Sequence, residues 1–195
     1  MREIFLAAVL VLVASGAQAA TLDIIGGILH GASGVDVGGT LYDVEFVDGT
    51  CLGLFTGCDD VSDFTFQSHA TAILASQALL DQVFLDGALG NFDSLPQLSF
   101  GCSDPSVCHV LTPHGFTVTN PGIIETSDSR NFASPSSDND AIFTKDVVVT
   151  FDLTTSTNFT YAVWSSPVPE PSTALLMGFG LTGLSWAGRR RNRSQ

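Results

Sequence analysis

Basic side chains are almost missing from the middle of this chain. Between residues 20 and 166 there are 18 Asp or Glu and only two cations, Arg130 and Lys145, a net charge of −16. The other basic residues, Arg2, Arg189, Arg190, Arg191 and Arg193, sit at the two ends. So acidic a surface repels phosphate backbones and anionic lipid, which excludes nucleic acid as a partner. Solubility, calcium binding and cationic partners remain compatible with it. Also lacking are a Gly-x-Ser-x-Gly turn for a nucleophilic serine and any repeat of solenoid period. No carboxylate pair stands out by spacing as an acid–base couple. These absences lead us to expect no catalytic residues, no cofactor and no enzyme.

What is present begins with a hydrophobic N-terminus. Residues 4–13 (IFLAAVLVLV) follow Arg2 without a polar break, and Ala17-Gln18-Ala19 fits the small-x-small cleavage rule. The run falls short of the ~20 residues needed to cross a bilayer. Residues 1–19 are therefore expected to be a signal peptide, cut by signal peptidase after Ala19, with the neighbouring Ala20 bond as the alternative.

Export places the four cysteines, Cys51, Cys58, Cys102 and Cys108, in an oxidising compartment, where an even count at short spacing reads as disulfides. Three pairings are possible, and the clustering favours Cys51 with Cys58 and Cys102 with Cys108. Each closes a small loop worth only ~2 to 2.5 kcal/mol by chain entropy.

Residues 20–166 read as one acidic domain. Residues 31–39 (GASGVDVGG) have too little side chain to pack and predict a loop. Over residues 40–47, Tyr42, Val44 and Phe46 alternate with Asp43 and Glu45, the pattern of a half-buried strand stopped by Asp48-Gly49. Residues 68–85 predict an amphipathic helix capped by Ser68 and ended by Gly87, with Ile73, Leu80 and Phe84 in a stripe flanked by Ala72, Leu79 and Val83. Residues 108–119 are β-rich but interrupted by Pro113, and the polar residues 120–139 predict a long exposed loop. Residues 146–153 and 158–164 alternate again and predict a hairpin. The class expected is α+β, a small mainly antiparallel sheet with one amphipathic helix.

Several residues could carry ligand chemistry. Cys102, Cys108, His109 and His114 are near enough in sequence to suggest zinc, yet five residues separate the cysteines where two to four are typical, and export favours their oxidation. Asp59, Asp60 and Asp63, and Asp138 and Asp140, could offer oxygen to calcium, but neither group has the EF-hand pattern. No metal is expected. Thr117, Thr119, Thr154, Thr155 and Thr157 are the candidates for a flat threonine face of the ice- or carbohydrate-binding kind, without a repeating ladder.

The C-terminus carries the most specific pattern. Prolines at 167, 169 and 171 remove backbone donors and end the domain. The 17 residues from Ser172 to Gly188 (STALLMGFGLTGLSWAG) are uncharged and largely apolar, and Arg189, Arg190, Arg191 and Arg193 follow as a cluster expected to stay cytoplasmic. At ~1.5 Å per residue that helix reaches about 25 Å against a hydrocarbon core of ~30 Å, a marginal span. Val168-Pro169-Glu170-Pro171, the apolar segment and the arginines, in that order over residues 167–195, resemble the PEP-CTERM sorting signal.

The resemblance implies an exported protein of a Gram-negative bacterium that makes extracellular polysaccharide. It further implies transient passage through the inner membrane, and handling at Pro-Glu-Pro by an exosortase, a membrane protease or transpeptidase. The destination would be the cell surface, outer membrane or extracellular matrix. Such tails have also carried an "ice-binding protein C-terminal" label, which says nothing of the domain in front. The function expected is a non-enzymatic structural or binding module, with extracellular polysaccharide as a candidate partner. A secreted hydrolase acting on polysaccharide or protein, and an ice- or carbohydrate-binding surface protein, are the alternatives.

Overall fold

The computed structural model describes residues 19–133 and 140–166. Strands β1 (Thr21–Ile25), β2 (Ile28–Val37) and β3 (Thr40–Val47) form an antiparallel meander. A one-turn helix α1 (Cys51–Leu54), the main helix α2 (His69–Gln82) and a two-residue ribbon, β4 (Asp86–Gly87) with β5 (Gly90–Asn91), come next. Strands β6 (Val107–Thr117), β7 (Asn120–Phe132) and β8 (Ala141–Val148) make a second meander, and β9 (Phe159–Ser165) completes the fold. The large sheet has seven strands in the order β1-β2-β3-β9-β6-β7-β8. The final strand thus joins the two meanders, antiparallel to β3 and parallel to β6.

This architecture corrects the α+β class expected from the sequence. The protein is mostly β, and its single helix of any length has 14 residues. Among the described residues no helix is long and apolar enough to cross a membrane. The expected spanning segment from Ser172 to Gly188 and the signal peptide up to residue 18 lie outside the described residues.

Three local expectations are also corrected. The glycine-rich stretch is not a loop but most of β2, and its glycines have a steric reason. At Gly31, with φ +150°, an added Cβ would run into the backbone carbonyl of Val44 on β3, so glycine is what lets the two strands approach there. The polar stretch after residue 120 is the longest strand, β7, paired on both sides. Polarity mimicked a loop, but here polar residues on both faces of the strand are buried, Thr126 and Asp128 on one and Ser127, Ser129 and Asn131 on the other. Residues 146–153 and 158–164 do not pair as a hairpin, because β8 ends at Val148 against β7 while β9 enters the middle of the sheet.

Helix α2 starts where expected: the Ser68 hydroxyl accepts the Thr71 N–H at 3.3 Å, satisfying one of the free donors at the helix start. Its buried face is Ala72, Ala75, Ser76 and Leu79, spaced three and four apart. Ile73 and Leu80 are only half-buried, and Leu74 is 51% exposed. Small side chains bring the helix close to the sheet. The Ser76 hydroxyl donates to the Ser127 carbonyl at 3.4 Å, and Ser129 donates to the Ser76 carbonyl at 3.3 Å.

The sheet consequently has two cores. On the helix side, Leu29, Val35, Phe46, Leu79, Phe84, Phe92 and Val110 pack together. On the other side, Phe55, Phe64, Leu111, Ile124, Val147, Leu153 and Tyr161 form a smaller cluster roofed by α1 and its flanking loop. The Cys51–Cys58 disulfide lies within that roof, and Cys102–Cys108 ties the entry of β6 to the loop before it. No cysteine is free among the described residues.

Candidate functional site

The roof covers only one end of its face. Directly opposed residues share a face of a sheet, and the register sets His109 opposite both Arg130 and Phe159, Phe143 opposite Asp128, and Lys145 opposite Thr126. Four strands therefore bring His109, Asp128, Arg130, Phe143, Lys145 and Phe159 to one surface. Arg130 and Lys145 are the only cations of the whole acidic domain.

Each cation sits on a ring. The Arg130 guanidinium carbon is 3.7 Å from the centre of Phe143, and the Lys145 ammonium is 4.7 Å from the centre of Phe159. The His109 ring stacks on Phe159 at 4.4 Å with planes 23° apart. Contact with aromatic rings holds the cations electrostatically and covers their stems. Beneath them Asp128 is fully buried. It accepts from Arg130 Nε at 2.9 Å and lies 3.0 and 3.1 Å from His109 Nδ1. A buried carboxylate needs such pairing, and it orients both partners in return.

Beside this cluster runs an apolar groove of about 270 Å³, lined by Leu111, Val147, Val148, Phe151, Leu153 and Phe159, with Lys145 and Asp146 at its edge. Phe151 is 47% exposed and Phe143 45%. The surface thus combines flat apolar rings, a shallow groove and cationic donors, the ingredients of a binding face. Within it His109 commits Nδ1 to Asp128.

Other ionisable groups do not converge on the groove. Burial raises the Asp48 carboxyl above its ordinary value, with the Thr160 hydroxyl opposing and the Asp152 charge adding to the shift. That carboxyl packs against Gly101 and Thr160 rather than in the groove. The Tyr161 phenol is also pushed up by burial, which keeps it neutral.

The residues singled out from the sequence fall elsewhere. Cys102 and Cys108 are bonded to each other, so they are not available as zinc thiolates, and His109 and His114 are drawn into different surroundings. Asp60 caps a turn by accepting the Ser62 N–H at 2.8 Å, an interaction that lowers its pKa, and Asp63 accepts from Asp59 N and Asp60 N at 3.0 and 3.1 Å. Asp140 accepts the Phe132 N–H, and Asp138 lies outside the described residues. Among the described residues no group of three or more His, Cys, Asp or Glu could hold a metal. Of the threonines, Thr117 donates to the Asn120 carbonyl, while Thr154 and Thr155 bond Asp152, in a separate loop.

The cation–aromatic face is not legible in the sequence, because the polarity of residues 120–139 predicts a loop where β7 lies. Read with period two, residues 126–131 place Thr126, Asp128 and Arg130 on one side and Ser127, Ser129 and Asn131 on the other. The sorting residues Val168, Pro169, Glu170 and Pro171 and the arginine cluster lie outside the described residues. No curated protein and no solved structure matches the chain. Residues 167–191 match the PEP-CTERM protein-sorting motif, and the chain therefore carries a sorting motif of the kind that directs exosortase-dependent export to the Gram-negative cell surface.

Proposed function

We propose that residues 20–166 are a non-enzymatic binding module displayed at the surface or in the extracellular matrix, and that the cation–aromatic face binds extracellular polysaccharide. In this reading signal peptidase releases the N-terminus after Ala19. The tail then holds the protein transiently at the inner membrane, until exosortase acts at Pro169-Glu170-Pro171.

The observation that carries the binding reading is the placement of both domain cations, each on a phenylalanine, beside an apolar groove. Exposed rings accept the C–H faces of sugar rings. Arg130, Lys145 and His109 supply donors to hydroxyl and carboxylate oxygens. A hydrolase reading lacks a comparable support, since the groove is edged by a single carboxylate, Asp146.

The test is equilibrium binding of the mature exported protein to polysaccharide purified from its host. Replacing Lys145→Gln together with Phe151→Ala is expected to weaken binding at least tenfold while the unfolding midpoint changes little, because both side chains reach solvent. Undiminished binding by that double variant would sink the assignment. Intact mass of the exported protein tests the processing step, and a tail retained through Gln195 in a host with active exosortase contradicts it.

A further inference from the structure

Of the four zinc candidates two are locked in a disulfide, but folding brings His114 beside a histidine 45 positions earlier in the chain, His69. His114 sits in β6 at the register irregularity between Pro113 and Gly115 and is only 4% exposed. Its Nε2 atom is buried without a hydrogen-bond partner. His69 is the exposed first residue of α2, and its ring centre lies 5.2 Å from that of His114, with planes 47° apart.

A buried imidazole nitrogen with nothing to bond calls for an explanation, since such atoms are nearly always satisfied. The separation of the two rings supplies one. Two imidazoles bound to one tetrahedral ion at ~2.0–2.1 Å place their ring centres about 5 Å apart. We propose that His69 and His114 form a two-imidazole site for a late first-row dication of the zinc, nickel or copper type, with water completing the coordination.

Burial, and secondarily the neighbouring His69, holds His114 below its ordinary pKa, so the ring stays neutral and keeps a lone pair. Nitrogen ligands select this class over calcium and magnesium, which take oxygen. The acidic domain raises the local concentration of any dication. The positive end of the α2 dipole opposes a cation there, but only weakly at an exposed helix start. A bound ion would pin the first turn of α2 to β6.

The test uses the mature exported protein with disulfides intact, titrated with zinc chloride and, in parallel, calcium chloride. Zinc is expected to raise the thermal midpoint by several degrees where calcium does not. His69→Ala, a change at an exposed position, is expected to raise the apparent Kd for zinc at least tenfold without lowering the metal-free midpoint. Copper substitution should show nitrogen hyperfine splitting from two imidazoles in the electron paramagnetic resonance spectrum. Equal shifts with zinc and calcium would mean general attraction to the acidic surface, and would overturn the site. So would a zinc shift, or a two-nitrogen copper spectrum, that survives in His69→Ala.

Discussion

The two faces of the sheet solve opposite problems. On the helix side, small and hydroxyl-bearing residues, Ala72, Ala75, Ser76, Ser127 and Ser129, let α2 lie against the strands, and nearly everything is covered. On the other side a short roof covers half of the face, and large charged and aromatic side chains cover the rest only partly. The covered face gives rigidity, and the half-open one leaves rings and cations in reach of solvent. Close packing is intolerant of added volume, whereas an open face tolerates substitution unless a buried charge loses its partner.

The contrast can be broken most forcefully from the helix side of the sheet. Gly101 has φ +83°, and a Cβ there would collide with Asp48 and Thr160. Gly101→Ala is expected to cost about 3–5 kcal/mol by urea denaturation, combining backbone strain and overpacking. A loss below 1 kcal/mol would show that this region can yield. Next in size is Arg130→Ala on the open face, which leaves Asp128 buried with His109 alone. About 2 kcal/mol is expected, less than for a fully buried pair because Arg130 is partly exposed. Arg130→Lys should recover part of it.

A smaller effect separates the faces by pH. The folded-state pKa of His114 lies below its ordinary 6.5, so the unfolded chain takes up the proton first. Stability should hold above pH 6.5 and fall as pH drops from there toward the lowered folded value, by up to ~1.4 kcal/mol per pH unit. Unfolding titrations of His114→Asn should lack this component. Least affected should be Ser76→Ala, which removes one long hydrogen bond across the helix seam at a cost of about 0.5 kcal/mol. A larger loss would mean that the seam depends on hydroxyls more than on close approach.

Strand β3 and the start of α2 were legible because their signals are local: alternation over residues 40–47 and a serine cap before a helical run. Strands β2 and β7 were not. Their signals depend on neighbours, since Gly31 makes sense only with Val44 across from it, and Ser127 and Ser129 only under α2. The insertion of β9 between β3 and β6 is a long-range pairing that no local pattern announces. The cation–aromatic face inherits that difficulty, because His109 meets Phe159 only through the parallel register, and Arg130 meets Phe143 only once β7 and β8 pair. The histidine pair is hidden likewise, as His69 and His114 belong to different elements.

The position of β9 also has a mechanical meaning. The strand nearest the sorting motif in sequence is held on both edges, by β3 from Val47 to Asp43 and by β6 from His109 to Leu111. A pull on the chain beyond Ser165 therefore acts along β9 and loads both hydrogen-bond ladders in shear, so that they must fail together and cannot be peeled one bond at a time. Tethered by this end, the domain would meet drag at the cell surface through its most firmly gripped strand.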